Sequence, residues 1–285
     1  MSRILITGGT GSLGHALARS LLAAGHEVVI FSRDEFKQAN MASLMQHERL
    51  TFRLGDVRDR SRLEDAFIHV DTVIHAAALK RVDSVCNDAE EVYKTNIQGT
   101  MNALHAAATA GVAKFLLISS DKACAPSNAY GVSKAMAEWL TVGFNAYGYP
   151  RGLRSSVVRY GNVLGSRGSV IHLWRDHPGP LPITDTRMTR FLITMPQAVG
   201  LVEAVLDAME GGEIFVPRLP SALMWDVARA MRGAGMPVTV TGLRPGGEKL
   251  HEVLLTEQES LRSVDIGEYI TAIMPFNVSW RSDKF

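Results

Sequence analysis

The chain has 285 residues, 46% of them hydrophobic, enough for a large core and for two lobes that share a cleft. Its 30 lysines and arginines against 29 aspartates and glutamates leave the charge near zero, so there is no general reason to expect nucleic acid or an anionic membrane as partner; affinity for phosphate must come from a few placed groups. The two cysteines, Cys86 and Cys124, form no C-x-x-C pattern and no secretory signal precedes them, which makes a reducing cytoplasm the expected compartment.

Short apolar runs predict strands at Ile4–Thr7, Glu27–Phe31, Thr51–Leu54, Thr72–His75 and Lys114–Ser119. Amphipathic stretches between and after them predict helices near Leu13–Ala24, Glu35–Gln46, Ser61–Phe67, Glu90–Ala110 and Ala129–Tyr147. The stretch around Leu104–Val112 is the most apolar, but it is short, Ala-rich and interrupted by His105 and Gly111, so it reads as a buried helix and not a membrane span. Strands and helices alternating at these lengths imply parallel βαβ units, an α/β fold with a Rossmann-type doubly wound sheet. A strand at Ser155–Arg159 is expected to close the sheet. After Tyr160 Gly and Pro become frequent and charges cluster at Arg187-Met188-Thr189-Arg190. The expected organisation is therefore a cofactor domain over 1–160 and, over 161–285, mainly a smaller substrate lobe with some segments returning to the sheet.

Thr7-Gly8-Gly9-Thr10-Gly11-Ser12-Leu13-Gly14 follows the first strand and opens the first helix. Glycines there serve a tight turn, close backbone approach to a pyrophosphate and helix–sheet packing, while the helix N-terminus offers free N–H groups to phosphates. In this strand–turn–helix context Gly8, Thr10, Gly11, Ser12, Leu13 and Gly14 are expected to hold a dinucleotide. The tip of the second strand sets the cofactor type. It reads Phe31-Ser32-Arg33-Asp34, with Lys37 one turn further. Ser32, Arg33 and Lys37 suit the extra phosphate of NADP, which is the expected cofactor. The competing reading makes Asp34 the ribose ligand of an NAD enzyme and Arg33 and Lys37 solvated charges. Asp56 and Val57, after the third strand, are expected to flank the adenine. Ala76, Ala77 and Lys80, after the fourth, should line the phosphate and nicotinamide path.

Ser119-Ser120-Asp121-Lys122 follows the fifth strand, and Tyr130-Gly131-Val132-Ser133-Lys134 opens the next helix. Tyr130 and Lys134 are four apart and share one helix face. A phenol is a poor base at neutral pH, but a neighbouring ammonium and a positive nicotinamide ring both favour the phenolate. Such a pair is weak evidence alone and strong downstream of a dinucleotide loop and a fifth strand. Asp121-Lys122 reads either as part of this chemistry or as a solvated ion pair at a strand end. The nine histidines show no metal-ligand spacing; His172 and His177 read as surface residues, and no metal is expected.

Taken together these motifs resemble the extended short-chain dehydrogenase/reductases, and within them the inverting UDP-N-acetylglucosamine 4,6-dehydratases that open pseudaminic acid and related 6-deoxy amino sugar pathways. The resemblance runs over almost the whole chain. It rests on Phe31–Gln38 (FSRDEFKQ), His75–Lys80 (HAAALK), Lys94–Gly99 (KTNIQG) and Asp121-Lys122-Ala123. Further blocks are Arg159–Val170 (RYGNVLGSRGSV), Ile183–Phe191 (ITDTRMTRF), Gly212–Pro217 (GEIFVP) and Arg244–Glu252 (RPGGEKLHE).

The resemblance implies a mechanism on a nucleotide sugar. Tyr130 takes the proton of the sugar 4-hydroxyl as C4 passes hydride to NADP⁺. Lys122, where retaining relatives carry glutamate, removes the C5 proton that the new 4-ketone makes acidic. Asp121 protonates the departing 6-hydroxyl, hydride returns to C6, and C5 is reprotonated from the opposite face. A lysine base must be neutral; burial, Lys134 and the oxidised nicotinamide favour that state, while Asp121 opposes it. The resemblance also places Ser120 with Tyr130 and Lys134 at the catalytic site and Thr95 beside the cofactor. Against the substrate it places Lys80, Ser120, Asn162, Val163, Arg190, Arg244 and Glu248, the arginine forks suiting a diphosphate and Glu248 a ribose hydroxyl. Arg190 and Arg244 read equally as lobe-to-sheet salt bridges. A homo-oligomer packed through the Glu90–Ala110 and Ala129–Tyr147 helices is implied as well.

Three departures bear on the substrate. Arg81-Val82-Asp83-Ser84-Val85-Cys86 replaces the family's proline and glutamate after Lys80, Ser120 stands for a usual threonine, and Gly246-Gly247 adds a glycine to R-P-G-E-K. Two rival activities follow from the same motifs: a 4-epimerase or retaining dehydratase, and a non-catalytic NADP-sensing module.

Overall fold

A computed structural model describes residues 1–80, 87–233, 235–244 and 246–276. Six strands pair in parallel, in the order β3-β2-β1-β4-β5-β6. They are β1 (Arg3–Thr7), β2 (Glu27–Ser32), β3 (Leu50–Leu54), β4 (Thr72–His75), β5 (Lys114–Ile118) and β6 (Arg154–Val158). Alternation along these strands feeds two cores. Ile6, Ile30, Ile74 and Leu116 join the helices Ser12–Ala23 and Met195–Ala208 on one face. Leu5, Val29, Val73 and Phe115 meet Leu63, Ala103 and Ala137 on the other. Helices on both faces are why β1, β2, β4 and β5 are largely apolar. The strand order reverses between β1 and β4, and the crevice beyond their carboxyl ends is where sheets of this kind take ligands.

The sheet does not end at the strand expected over Ser155–Arg159. After β7 (Asn162–Val163), β8 (Leu181–Ile183) and β9 (Thr189–Ile193), the chain returns as β10 (Ile214–Pro217), parallel to β6. Beyond β11 (Ser221–Leu223) and β12 (Val238–Val240), the hairpin of β13 (Ser263–Ile266) and β14 (Ile270–Ile273) adds antiparallel to β10, making nine strands. The remaining strands form two small sheets, β11-β9-β7 and β12-β8. A third core lies among Trp174, Leu181, Ile183, Met188 and Met224.

The single helix expected over Glu90–Ala110 is three segments: an α-turn Ala89–Val92, a π-helical stretch Tyr93–Gln98 and an α-helix Gly99–Ala110. The wider π turn lets two successive residues, Thr95 and Asn96, both point inward, at 4% and 2% exposure. Asn96 then clamps the Leu79 backbone, accepting from its N–H at 2.8 Å and donating to its carbonyl at 3.0 Å. Cys86, with the rest of the Arg81–Cys86 departure, lies outside the described residues; Cys124 is buried. Among the described residues no helix is long and apolar enough to cross a membrane, and no three His, Cys, Asp or Glu gather as metal ligands would.

Candidate active site

The turn after β1 is pressed onto the chain leaving β4. Gly8 sits at φ +65°, and a Cβ there would lie 2.9 Å from the Ala77 backbone, so only glycine fits. Ala76 and Ala77 are held from the same strand end, their N–H groups donating to the carbonyl and hydroxyl oxygens of Thr7 at 3.2 and 3.3 Å. No side chain caps the following helix at Gly11. Gly8, Thr10 and Gly11 line a cleft of about 280 Å³ whose further walls include Ser32, Arg33, Lys37, Val57, Ala77 and Thr95. Leu13 and Gly14 face inward instead, Leu13 onto the first core and Gly14 against Gly9. The Thr95 hydroxyl is buried and has no hydrogen-bond partner among the described residues. An orphaned polar atom in the wall of a glycine-floored cleft fits a polar ligand such as a dinucleotide.

At the β2 end of the cleft the charges are paired. Asp34 caps the helix Glu35–Leu44, accepting from the Lys37 N–H at 3.0 Å and pairing with its ammonium at 2.5 Å. These bonds hold the Asp34 carboxyl below its ordinary value. Arg33 lies 3.5 Å from Asp56, which Arg58 holds more closely at 2.7 Å. The Ser32 hydroxyl accepts from Gln38 at 3.0 Å.

The chemical residues meet where β5 ends. Asp121–Ala123 is one turn of 3₁₀ helix, opened by Ser120, whose hydroxyl donates to Asp121 Oδ1 at 2.8 Å. The helix Ala129–Gly143 lies tight against this turn because its third residue is glycine: a Cβ on Gly131 would fall 2.4 Å from the Lys122 carbonyl oxygen. Asn128 caps that helix, accepting from the Gly131 N–H at 2.8 Å. Tyr130 and Lys134 are thereby buried together, at 9% and 3% exposure. The Lys134 ammonium donates to the Ile118 carbonyl at 2.6 Å; burial lowers it to about 8, with Glu138 opposing. Lys134 was expected to lower the Tyr130 phenol. The opposite balance is found: burial and then the Asp121 carboxylate push that phenol up, and only a hydrogen bond with Ser120 works against them.

Lys122 Nζ lies 3.0 Å from Asp121 Oδ1, 3.2 Å from Asn162 Oδ1 and 3.7 Å from Glu252 Oε1. Asp121 is fully buried, and its Oδ2 has no hydrogen-bond partner among the described residues. This turn can therefore hold a proton between an amine and a carboxylate and still offer an acceptor to a ligand.

The lobe residues split. Asn162 reaches Lys122, while Val163 packs on the first core. Arg190 is buried, and its donors go to Glu248 at 3.1 Å and to the carbonyls of Thr189, Lys249 and Leu250 at 2.7–3.1 Å. Its fork therefore braces the 248–250 segment. Arg244 pairs with Glu248 at 2.6 Å. Burial works against the Glu248 carboxylate, but hydrogen bonds and charge from Arg244, with Arg190 behind, hold its carboxyl below the ordinary value. In the added glycine pair, the Gly247 carbonyl accepts from Ser127 at 2.7 Å and Asn128 at 3.1 Å, pinning this segment to the start of the Tyr130 helix.

Sequence reading missed Glu252, which touches Lys122 and pairs through Oε2 with Lys249 at 2.9 Å. Glu252 also walls a larger cavity of about 660 Å³ shared with Phe191, Pro217, Leu219 and Leu254. Its place at the end of the Arg244–Glu252 block was the one available signal. Arg167, also in the cleft wall, gave no signal beyond its own block.

The family described as polysaccharide biosynthesis protein matches residues 4–274. The chain is 42% identical over 278 residues to a UDP-N-acetylglucosamine 4,6-dehydratase (inverting) of Campylobacter jejuni subsp. jejuni serotype O:2, covering 95% of this chain and 82% of that protein. It is 38% identical over 277 residues to a UDP-glucose 4-epimerase of Rickettsia bellii, covering 93% of this chain and 81% of that one. The X-ray structure of Pen from Bacillus thuringiensis is similar with a TM-score of 0.92 at 32% identity, over 96% of this chain and 90% of that one.

Proposed function

Since the chain belongs to the polysaccharide biosynthesis protein family, we propose that it is an NADP-dependent nucleotide-sugar 4,6-dehydratase that inverts C5, with UDP-N-acetylglucosamine as its substrate. The observation that carries this reading is the Lys122–Asp121 contact of 3.0 Å, set by one turn beside Tyr130. A proton moved from Nζ to Oδ1 across it converts the ion pair into a neutral amine and a carboxylic acid, the base and the acid that a β-elimination needs.

A nicotinamide dinucleotide in the cleft would accept hydride from C4 and return it to C6. Tyr130 takes the proton of the 4-hydroxyl, and its burial makes that step depend on nearby positive charge, from Lys134 and from the oxidised cofactor. Lys122 takes the C5 proton acidified by the 4-ketone. Asp121 gives its proton to the 6-hydroxyl, which leaves as water, and a proton originating in solvent is taken up at C5 on the opposite face once C6 is reduced. Asn162 keeps Lys122 Nζ in place. NADP is favoured over NAD because Asp34 is spent as a helix cap, while Ser32, Arg33 and Lys37 line the cleft and would suit a 2′-phosphate.

Residues 1–160 would mainly serve the cofactor and the rest the sugar nucleotide, in the cytoplasm. Val132, Met136 and Trp139, 53%, 48% and 69% exposed on one face of the Tyr130 helix, support a homo-oligomer through that face. A 4-epimerase, the name of the Rickettsia relative, needs Tyr130 but no base for C5.

Incubation with UDP-N-acetylglucosamine in D₂O, read by NMR, tests the reading. The expected product is a 6-deoxy-4-keto sugar with deuterium at an inverted C5. Epimerised sugar without C5 deuterium would replace the dehydratase by the epimerase, and C5 deuterium with retained configuration would remove the inversion.

A further inference from the structure

Of the acceptors around Lys122 Nζ, one stands back. Asp121 Oδ1 and Asn162 Oδ1 are within hydrogen-bond reach at 3.0 and 3.2 Å, whereas Glu252 Oε1 lies at 3.7 Å. Glu252 is only 8% exposed, and a carboxylate is not buried without compensation. Its other oxygen pairs with Lys249 at 2.9 Å, and the Lys249 ammonium donates in turn to the Cys124 carbonyl at 2.8 Å. Cys124 closes the Asp121–Ala123 turn, its N–H donating to the Asp121 carbonyl at 3.2 Å. Lys249 therefore straps Glu252 to the turn that carries Asp121 and Lys122. Charges alternate from Asp121 through Lys122 and Glu252 to Lys249, so each buried carboxylate has a cation beside it.

We propose that Glu252 is a positioning residue for Lys122: it accepts an N–H of the amine once the proton has passed to Asp121, and so turns the nitrogen lone pair toward the sugar. The inference deepens the dehydratase reading and rests on Lys122 being the C5 base. In that transfer an N–H bond of Nζ breaks and an O–H bond forms on Oδ1, with no change in net charge. An ammonium has three N–H groups; the amine left behind has two and a lone pair. With Asn162 and Glu252 each accepting one N–H, the lone pair is left on the Asp121 side. Asp121 Oδ2 has no hydrogen-bond partner among the described residues, so base and acid then address one ligand there, as a neighbouring C5 hydrogen and C6 hydroxyl require. A shift of Nζ by about 0.5 Å brings it within reach of Glu252. Without that acceptor only one N–H is fixed, and the lone pair turns freely about the Asn162 bond.

The test uses the full chain loaded with NADP⁺ and mixed with UDP-N-acetylglucosamine. NADPH absorbance reports oxidation at C4, and the 6-deoxy-4-keto product reports elimination. Glu252→Gln keeps the shape but has one acceptor oxygen, which Lys249 takes, turning the amide NH₂ toward Lys122. Product formation should slow about 10- to 100-fold, as for a reacting group held about 1 Å out of place. Oxidation at C4 and KM should stay within about twofold, so that bound NADPH accumulates before product appears. Adding Lys249→Met frees the amide oxygen to face Lys122, and that double variant should regain most of the rate. Glu252→Leu with Lys249→Met has neither charge nor acceptor and should stay slow, a comparison that holds even if the single variant does not fold. Product formation at the unsubstituted rate in Glu252→Gln overturns the proposal, as do equal rates in the two double variants. Equal losses of C4 oxidation and elimination overturn it too, since they would mean a general disturbance. If the unsubstituted protein epimerises the sugar or leaves it unchanged, the dehydratase reading falls and takes this inference with it.

Discussion

Arg159 and Lys122 both stand where a strand end meets the second half of the chain, and both face two carboxylates, yet only one has all its partners. Arg159, just after β6, gives Glu138 bonds of 2.6 and 3.1 Å, Glu259 bonds of 2.8 and 3.1 Å and the Leu254 carbonyl one of 3.0 Å. The spare capacity of those carboxylates is taken by Ser119 and by the capping residue Thr256. Around Lys122 the count stays open. Asp121 keeps a buried oxygen without a hydrogen bond, and Glu252 stands at 3.7 Å, beyond hydrogen-bond reach. A completed buried cluster is a joint. An incomplete one costs stability for every polar atom left over, and is tolerable where a ligand completes it.

Three substitutions would break or sharpen this contrast. The largest effect is expected from Lys122→Arg, which keeps a cation between the carboxylates but cannot give up its proton. Formation of the 4-keto product should fall about 10²- to 10⁴-fold, with the urea midpoint close to that of the unsubstituted protein. Unimpaired turnover would deny Lys122 its role. Arg159→Leu should do the reverse, leaving the buried Glu138 and the partly buried Glu259 without their cation and lowering unfolding free energy by about 3–5 kcal/mol; a loss below about 1 kcal/mol would mean the cluster is no joint. The smallest effect concerns Lys134, whose ammonium burial lowers to about 8. An unfolded lysine keeps its proton to about pH 10.4, so between those values the unfolded chain binds more protons and the folded state gains stability as pH rises. The urea-derived stability difference between the unsubstituted protein and Lys134→Met should therefore move toward the former from pH 7.5 to 9.5, by no more than about 2 kcal/mol. A flat difference would place the lysine in a wetter setting.

Legibility in the sequence follows the range of the contacts. The five strands from Ile4 to Ser119 and the glycine turn are local patterns, and they are found within a residue or two. The resemblance added Asp121 and Lys122, which periodicity alone would leave as a surface pair. The π turn at Tyr93–Gln98 was invisible, because its sequence obeys ordinary helical spacing and the wider register appears only once Asn96 finds Leu79. Glu252 meets Lys122, and Arg167 meets Thr10, across more than a hundred residues of chain. Neither carries a local signature, since each acts through partners supplied by the fold. Arg190 belongs with them: its fork goes to carbonyls of Lys249 and Leu250, about sixty residues along the chain.

The return of the chain to β6 carries a consequence for how such a protein can change. β10 and the β13–β14 hairpin extend the sheet from its β6 side, so a cut after Tyr160 would strip a partner from β6 and expose a row of backbone groups ready to pair with anything extended. The halves are woven and cannot be traded as cassettes. New specificity would have to arrive by point changes in the loops, with the frame left whole.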